Sequence, residues 1–207
     1  MKAIPLRSAA ALALALALSA CGGKASFDIT GTLIDAQGNP KPLANPGLVL
    51  ANGGDTVSVP VGATSFKFPN SISYGTEYNI LVQKQPDHMT CNILGGSGSA
   101  GRLVSITATV NCTQNSYSIG GTVTGITGDA TVTLANGSTG GTVTLNKDTP
   151  TFTFQVPVFD GQSYGVTVYT ITPDTTTPAN LACTVANGTD VMGTAPRTNI
   201  VVTCAKV

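Results

Sequence analysis

Tryptophan is absent from this chain of 207 residues, and histidine occurs once, at His88. Glu77 is the only glutamate, and charged side chains make up 10% of the sequence. Each scarcity excludes something. With one histidine, paired-imidazole metal sites and most acid–base constellations cannot be assembled. No Cys-x-x-Cys pair and no Asp-x-Asp-x-Asp-Gly loop occurs, so neither the usual zinc nor the usual calcium arrangement is present. Basic residues are few and scattered, which argues against nucleic acid or anionic lipid headgroups as partners. Beyond residue 20 no run of 18 apolar residues exists to span a bilayer.

Thr, Val, Gly, Asn and Ser dominate instead, with Val, Ile, Leu, Phe and Tyr recurring at alternating positions. β-branched residues lose rotamer freedom in a helix and pack well on a pleated surface. Recurrent apolar positions also rule out a disordered chain. The composition therefore predicts an all-β fold.

The sequence repeats itself. Phe27-Asp28-Ile29-Thr30-Gly31-Thr32-Leu33 matches Tyr117-Ser118-Ile119-Gly120-Gly121-Thr122-Val123. Val49–Gly53 matches Thr133–Gly137, Ser65–Phe68 matches Thr151–Phe154, and Gly75–Tyr78 matches Gly161–Tyr164. Cys91 and Cys112 match Cys183 and Cys204, with 20 residues between the cysteines in each copy. A period of about 90 residues is that of a duplicated domain rather than a solenoid. Seven strand-like segments are readable in each copy. In the second they are Tyr117–Gly125, Ala130–Ala135, Gly141–Leu145, Thr151–Val158, Ser163–Ile171, Leu181–Ala186 and Thr198–Cys204. Short strands separated by turn signals predict a β-sandwich. The expected organisation is a first sandwich over 27–112, a linker over 113–116 and a second sandwich over 117–207.

These motifs resemble those of transthyretin-like sandwiches, a group that includes carboxypeptidase regulatory-like domains and the B-type repeats of bacterial collagen adhesins. The likeness runs from Phe27 to Val82 and from Tyr117 to Val168, and it implies a transthyretin-like sandwich, with a generic immunoglobulin-like topology as the alternative. The cysteine-closed end departs from that pattern. Such adhesin repeats often carry a Lys–Asn isopeptide bond, but the second copy has no lysine in its first strand, so the crosslink is not carried over.

The N-terminus is equally informative. Lys2 and Arg7 precede an Ala/Leu-rich run over Ser8–Leu18, the layout of a secretory signal. Leu18-Ser19-Ala20-Cys21 resembles the lipobox of bacterial lipoproteins. That resemblance implies cleavage after residue 20, diacylation of Cys21 and membrane attachment through the lipid, with 21–26 as anchor and tether. Gly22 in place of aspartate implies the outer membrane. Gly22–Ser26 reaches at most about 16–18 Å, so the first domain is expected close to the bilayer.

Four cysteines remain. In an exported chain their identical spacing predicts two disulfides, Cys91–Cys112 and Cys183–Cys204, one per domain. The competing arrangement, one zinc site built from all four, lacks the closely spaced pair such a site needs.

No catalytic constellation and no cofactor or metal site emerges. His88 lies in the polar stretch Gln85–Thr90 and reads as a solvated loop residue. The aspartates fall in turn-like stretches, where their side chains bond the local backbone. Gly95–Gly101 reads as a flexible hairpin tip, since no helix follows to make it a phosphate cradle. Tyr78 and Tyr164 occupy matching alternating strands and read as core or corner residues; Tyr74 and Phe159 sit in corresponding turns. The functional expectation is a non-enzymatic, lipid-anchored cell-envelope protein, structural or ligand-presenting, with an envelope protein or a glycan as partner. The alternative is an adhesin-like surface module binding carbohydrate or peptide.

Overall fold

The computed structural model describes residues 25–175 and 180–207. The signal segment over 1–20 and Cys21 lie outside the described residues. The described chain contains strands and turns and no helix. The first half forms β1 (Ser26–Phe27), β2 (Ile29–Ile34), β3 (Val49–Asn52), β4 (Asp55–Ser58), β5 (Ser65–Lys67), β6 (Ile72–Ser73), β7 (Glu77–Lys84), β8 (Met89–Leu94), β9 (Ser97–Ser99) and β10 (Ile106–Gln114). The second half repeats the series as β11 (Ser116–Tyr117), β12 (Ile119–Thr124), β13 (Thr131–Asn136), β14 (Thr142–Leu145), β15 (Thr151–Thr153), β16 (Val158–Phe159), β17 (Ser163–Thr172), β18 (Leu181–Ala186), β19 (Thr189–Val191) and β20 (Arg197–Lys206).

Among the described residues each half builds two four-stranded sheets and a two-stranded ribbon, and no sheet mixes the halves. The orders β5-β2-β10-β8 and β4-β3-β7-β9 in the first half recur as β15-β12-β20-β18 and β14-β13-β17-β19 in the second. The two tandem sandwiches are therefore one topology used twice. The first and last long strands of each sandwich run parallel, with Ile29 opposite Ile106 and Leu33 opposite Val110. Alternation along β2 and β10 turns Ile29, Leu33, Ala108 and Val110 inward to meet Leu50 and Ile80 of the facing sheet. Ile119, Val123, Ile200 and Val202 meet Val132, Leu134 and Val166 in the second core. Each fully buried Leu or Ile contributes about 1.5–3 kcal/mol, which matters in cores without tryptophan.

Each of the seven expected segments contains a strand, although Thr151–Val158 is strand only over Thr151–Thr153 before β16 opens at Val158 and Tyr117–Gly125 is divided between β11 and β12; each sandwich adds an eighth main strand. Gly95–Gly101 is not a free hairpin tip: after β8 the chain crosses to the opposite sheet, where β9 pairs Gly98 with Tyr78 and Ser99 with Glu77. Gly96 and Gly98 leave little room for a side chain at this crossing. A Cβ on Gly98 would lie 2.8 Å from the Tyr78 hydroxyl, and one on Gly96 would lie 3.1 Å from the Ile80 carbonyl. The corresponding segment of the second half, Thr189–Val191, pairs with Ser163–Gly165 of β17 in the same way. The linker is also shorter than expected. Thr113 and Gln114 continue β10, opposite Thr90 and Met89, which leaves Asn115 alone between β10 and β11.

Two repeated motifs acquire physical reasons. Gly31 and Gly121, the glycines of the Gly-Thr pairs, pass so close to the parallel partner strand that a Cβ would strike the carbonyls of Ala108 and Ile200. The Asn-Gly turns place Gly53 at φ 59° and Gly137 at φ 55°, where glycine is favoured. Their asparagines reach across the sheet. Asn52 Oδ1 accepts the Asn79 amide at 2.9 Å, and Asn136 Oδ1 accepts the Gly165 amide at 2.9 Å.

Cys91 and Cys112 are direct partners across the β8/β10 ladder, as are Cys183 and Cys204 across β18/β20. Both pairs form disulfides, each closing a sequence separation of 21 with a Cα–Cα distance of 4.0 Å.

Candidate functional site: the junction between the sandwiches

Asn115 is the pivot of the molecule. Its amide donates to the His88 carbonyl at 2.9 Å, and its own carbonyl accepts the Asp160 amide at 3.0 Å. The Thr90 hydroxyl donates to Asn115 Oδ1 at 2.7 Å. Gln114 extends the lattice: its Nε2 donates to the Asp160 carbonyl at 3.2 Å, and its Oε1 accepts from Asn45 Nδ2 at 3.2 Å. Asn45 Nδ2 also donates to the Asp87 carbonyl, at 2.9 Å. A single linking residue is thus held from both sides.

His88 occupies the turn between β7 and β8 with φ 60°, an unusual conformation for a residue other than glycine. That turn brings Nδ1 to 3.0 Å from Oδ1 of Asp160, across the domain boundary. The Asp160 side chain is 4% exposed and that of His88 49%. Gly161 lies flat against the imidazole, where a Cβ would come within 3.2 Å of the ring. His88 is therefore not simply a solvated loop histidine, and Asp160 is not a surface turn aspartate. Burying a carboxylate is costly unless it is paired, and His88 supplies the partner.

The repeat provides an internal control. Tyr74 stands where Asp160 does: its amide donates to the Ala25 carbonyl at 2.9 Å, as that of Asp160 does to Asn115. Asn180 stands where His88 does, its carbonyl accepting the Val207 amide at 2.9 Å. Both members of the pair therefore occur only at the interior junction. The signal was in the sequence as two mismatches between the copies, Tyr74 against Asp160 and His88 against Asn180.

The other candidate residues separate. Among the described residues no group of three or more His, Cys, Asp or Glu side chains comes together. Asp35 caps a turn, its Oδ1 accepting the amides of Gln37 and Asn39 at 2.9 Å each. Those bonds, that from Asn39 above all, hold its carboxyl below the usual value. Tyr164 is buried in the second core and Tyr78 is half-buried against the first. Burial pushes the Tyr164 phenol up from its ordinary value of 10.0, with the negative charge of Asp190 adding to the shift. Tyr74 and Phe159 both remain exposed.

One surface feature repeats. An open groove of about 460 Å³ runs between β7 and β8 in the first domain, lined by Ile80, Val82, Cys91 and Ile93 among others. A groove of about 410 Å³ occupies the same place in the second, along Val166, Val168, Cys183 and Val185. Among the described residues, the far half of β7 or β17 has no strand neighbour on that side beyond its short pairing with β9 or β19.

No protein-family model matches the chain, and no curated protein matches it. Among solved structures, the Bacillus anthracis TIE protein aligns with a TM-score of 0.50 and 15% identity, covering 86% of this chain and 34% of that one. The chain thus spans about a third of that protein's length, and the likeness is one of fold. A single B repeat unit of the collagen binding surface protein of Staphylococcus aureus aligns with a TM-score of 0.29 and 17% identity, covering 87% of this chain and 98% of its own. The major pilin protein T-13 of Streptococcus pyogenes aligns with a TM-score of 0.29 and 15% identity, covering 89% and 98%.

Proposed function

We propose that this chain is a lipid-anchored, non-enzymatic module of the bacterial cell envelope, in which two sandwiches joined at a fixed junction form a short stalk. The observation that carries the structural part is the junction itself. One linking residue, a lattice of hydrogen bonds and a buried carboxylate paired with His88 restrict how the domains can move. The anchoring part is supported by Leu18-Ser19-Ala20-Cys21 and its preceding apolar run. Two acyl chains on one cysteine anchor firmly, at about 0.8 kcal/mol per buried methylene. Gly22 favours the outer membrane. The scattering of the titratable side chains supports a structural or ligand-presenting role over catalysis.

The repeated groove between β7 and β8 favours a second reading, in which each domain binds an extended peptide or a glycan. An exposed strand edge beside a groove suits an extended ligand through main-chain hydrogen bonds. Density-gradient fractionation of cells carrying wild type or Cys21→Ala tests the first reading: wild type floats with outer membrane and the variant does not. A soluble periplasmic wild type would end it. A glycan and peptide array probed with the full chain tests the second, since a ligand lost on substitution in either groove would establish binding.

A further inference from the structure

The pole of the first domain that corresponds to the docking surface at the junction is built differently. At the junction the second domain presents Asp160, and its neighbouring loop carries Thr194, Ala195 and Pro196. At the equivalent pole of the first domain, Tyr74 replaces Asp160, and the loop carries Arg102, Leu103 and Val104. Tyr74 is 69% exposed, Leu103 68% and Val104 98%. The loop that carries Leu103 and Val104 begins beside Tyr74. The Gly75 amide donates to the Ala100 carbonyl at 2.8 Å, and Gly101 packs against the Tyr74 ring.

This pole is also where the chain leaves the sandwich. The Tyr74 amide donates to the carbonyl of Ala25, the first described residue. From Ala25 back to Cys21 the chain reaches at most about 14 Å. The apolar loop therefore lies on the side of the domain at which the described chain begins, and Cys21 is within four residues' reach of it.

We propose that Tyr74, Leu103 and Val104 form a second membrane contact, seating the first domain on the bilayer surface beside the lipidated cysteine. This rests on the lipid-anchor reading above. A tyrosine with an apolar body and polar tip suits the interface between headgroups and acyl chains, and Leu103 and Val104 supply the apolar area that enters it. A further sandwich of this type is a poorer occupant. The pole lacks the buried carboxylate that pairs with a His88-type turn, and the opposite pole of the second domain offers Asn180 instead of histidine. The anchor supplies the proximity, so the loop needs little affinity of its own.

The absence of tryptophan makes the test direct, because Leu103→Trp introduces a single reporter. The full lipidated chain is reconstituted into phosphatidylcholine vesicles, with Tyr169→Trp, on an exposed strand position of the second domain, as the comparison. The expected result is emission shifted to shorter wavelength and several-fold quenching by brominated acyl chains for Leu103→Trp, with neither for Tyr169→Trp. Protein that floats with the vesicles while Leu103→Trp stays unshifted and unquenched overturns the contact and leaves the anchor intact. Protein that carries no acyl group and does not float overturns the anchor reading, and the contact with it. Leu103→Asn with Val104→Asn gives a check free of the reporter. Tyrosine fluorescence of the reconstituted wild type is quenched by brominated headgroup-proximal lipid, and the double variant loses that quenching while still floating. Equal quenching in both overturns the proposal.

Discussion

His88 and Asp160 belong to different sandwiches, yet Nδ1 of one lies 3.0 Å from Oδ1 of the other, and the carboxylate is 4% exposed. Neither residue has its counterpart in the other repeat. The pair is thus a property of the assembled molecule and the main side-chain link between its halves.

Removing either partner should loosen the junction. His88→Ala leaves a buried acceptor short of a partner, at a cost of about 1–3 kcal/mol. Asp160→Asn keeps the shape and should cost less. A double-mutant cycle, read by denaturant unfolding of the full chain, should give a coupling of about 0.5–3 kcal/mol. Additive single effects would mean that the two side chains do not act on each other.

The disulfides should matter equally in both domains. Each closes the same sequence separation of 21, and the chain-entropy estimate for a loop of that size is about 3 kcal/mol. Unfolding with and without reductant should show both domains weakened by similar amounts. Non-reducing peptide maps should contain only the within-domain pairs.

The turn asparagines should differ in weight. Asn136 is buried, whereas Asn52 is only half-buried, though both accept one cross-strand amide. Asn136→Ala strands the Gly165 amide and should cost about 1–3 kcal/mol. Asn52→Ala should cost less, because water can reach the freed Asn79 amide. Midpoints of chemical unfolding would rank the two.

Tyr164 makes the second domain sensitive to alkali. Its folded pKa is raised above the ordinary 10.0, so above that pH the unfolded chain releases a proton that the folded one retains. Stability conferred by the neutral phenol is therefore full below pH 10.0 and declines as the pH rises beyond it. Thermal melts across that range should show the decline in wild type and a smaller one in Tyr164→Phe.

Much of this fold could be read from the sequence because strand periodicity and the matched motifs are local signals. The strand segments of each copy, the duplication and the cysteine pairing all follow from alternation and spacing, whereas the order of strands within the sheets does not. The eighth strand was hidden for a physical reason: Ser97–Ser99 and Thr189–Val191 are three residues long, with no apolar alternation, and Gly96 and Gly98 read as flexibility. A Cβ on Gly96 would crowd Ile93 and Ile80, and one on Gly98 would meet the Tyr78 ring. The His88–Asp160 pair was invisible for another reason. Its two members lie 72 positions apart, and their meeting depends on how the second sandwich docks, which no local pattern encodes.

Lipid anchoring is decided at the N-terminus of the protein found in cells. Mass spectrometry of the N-terminal peptide from envelope-purified protein is the most direct measurement. The expected peptide begins at Cys21 and carries the mass of a diacylglyceryl group. A chain that begins elsewhere, or a Cys21 peptide without lipid, would contradict lipid anchoring.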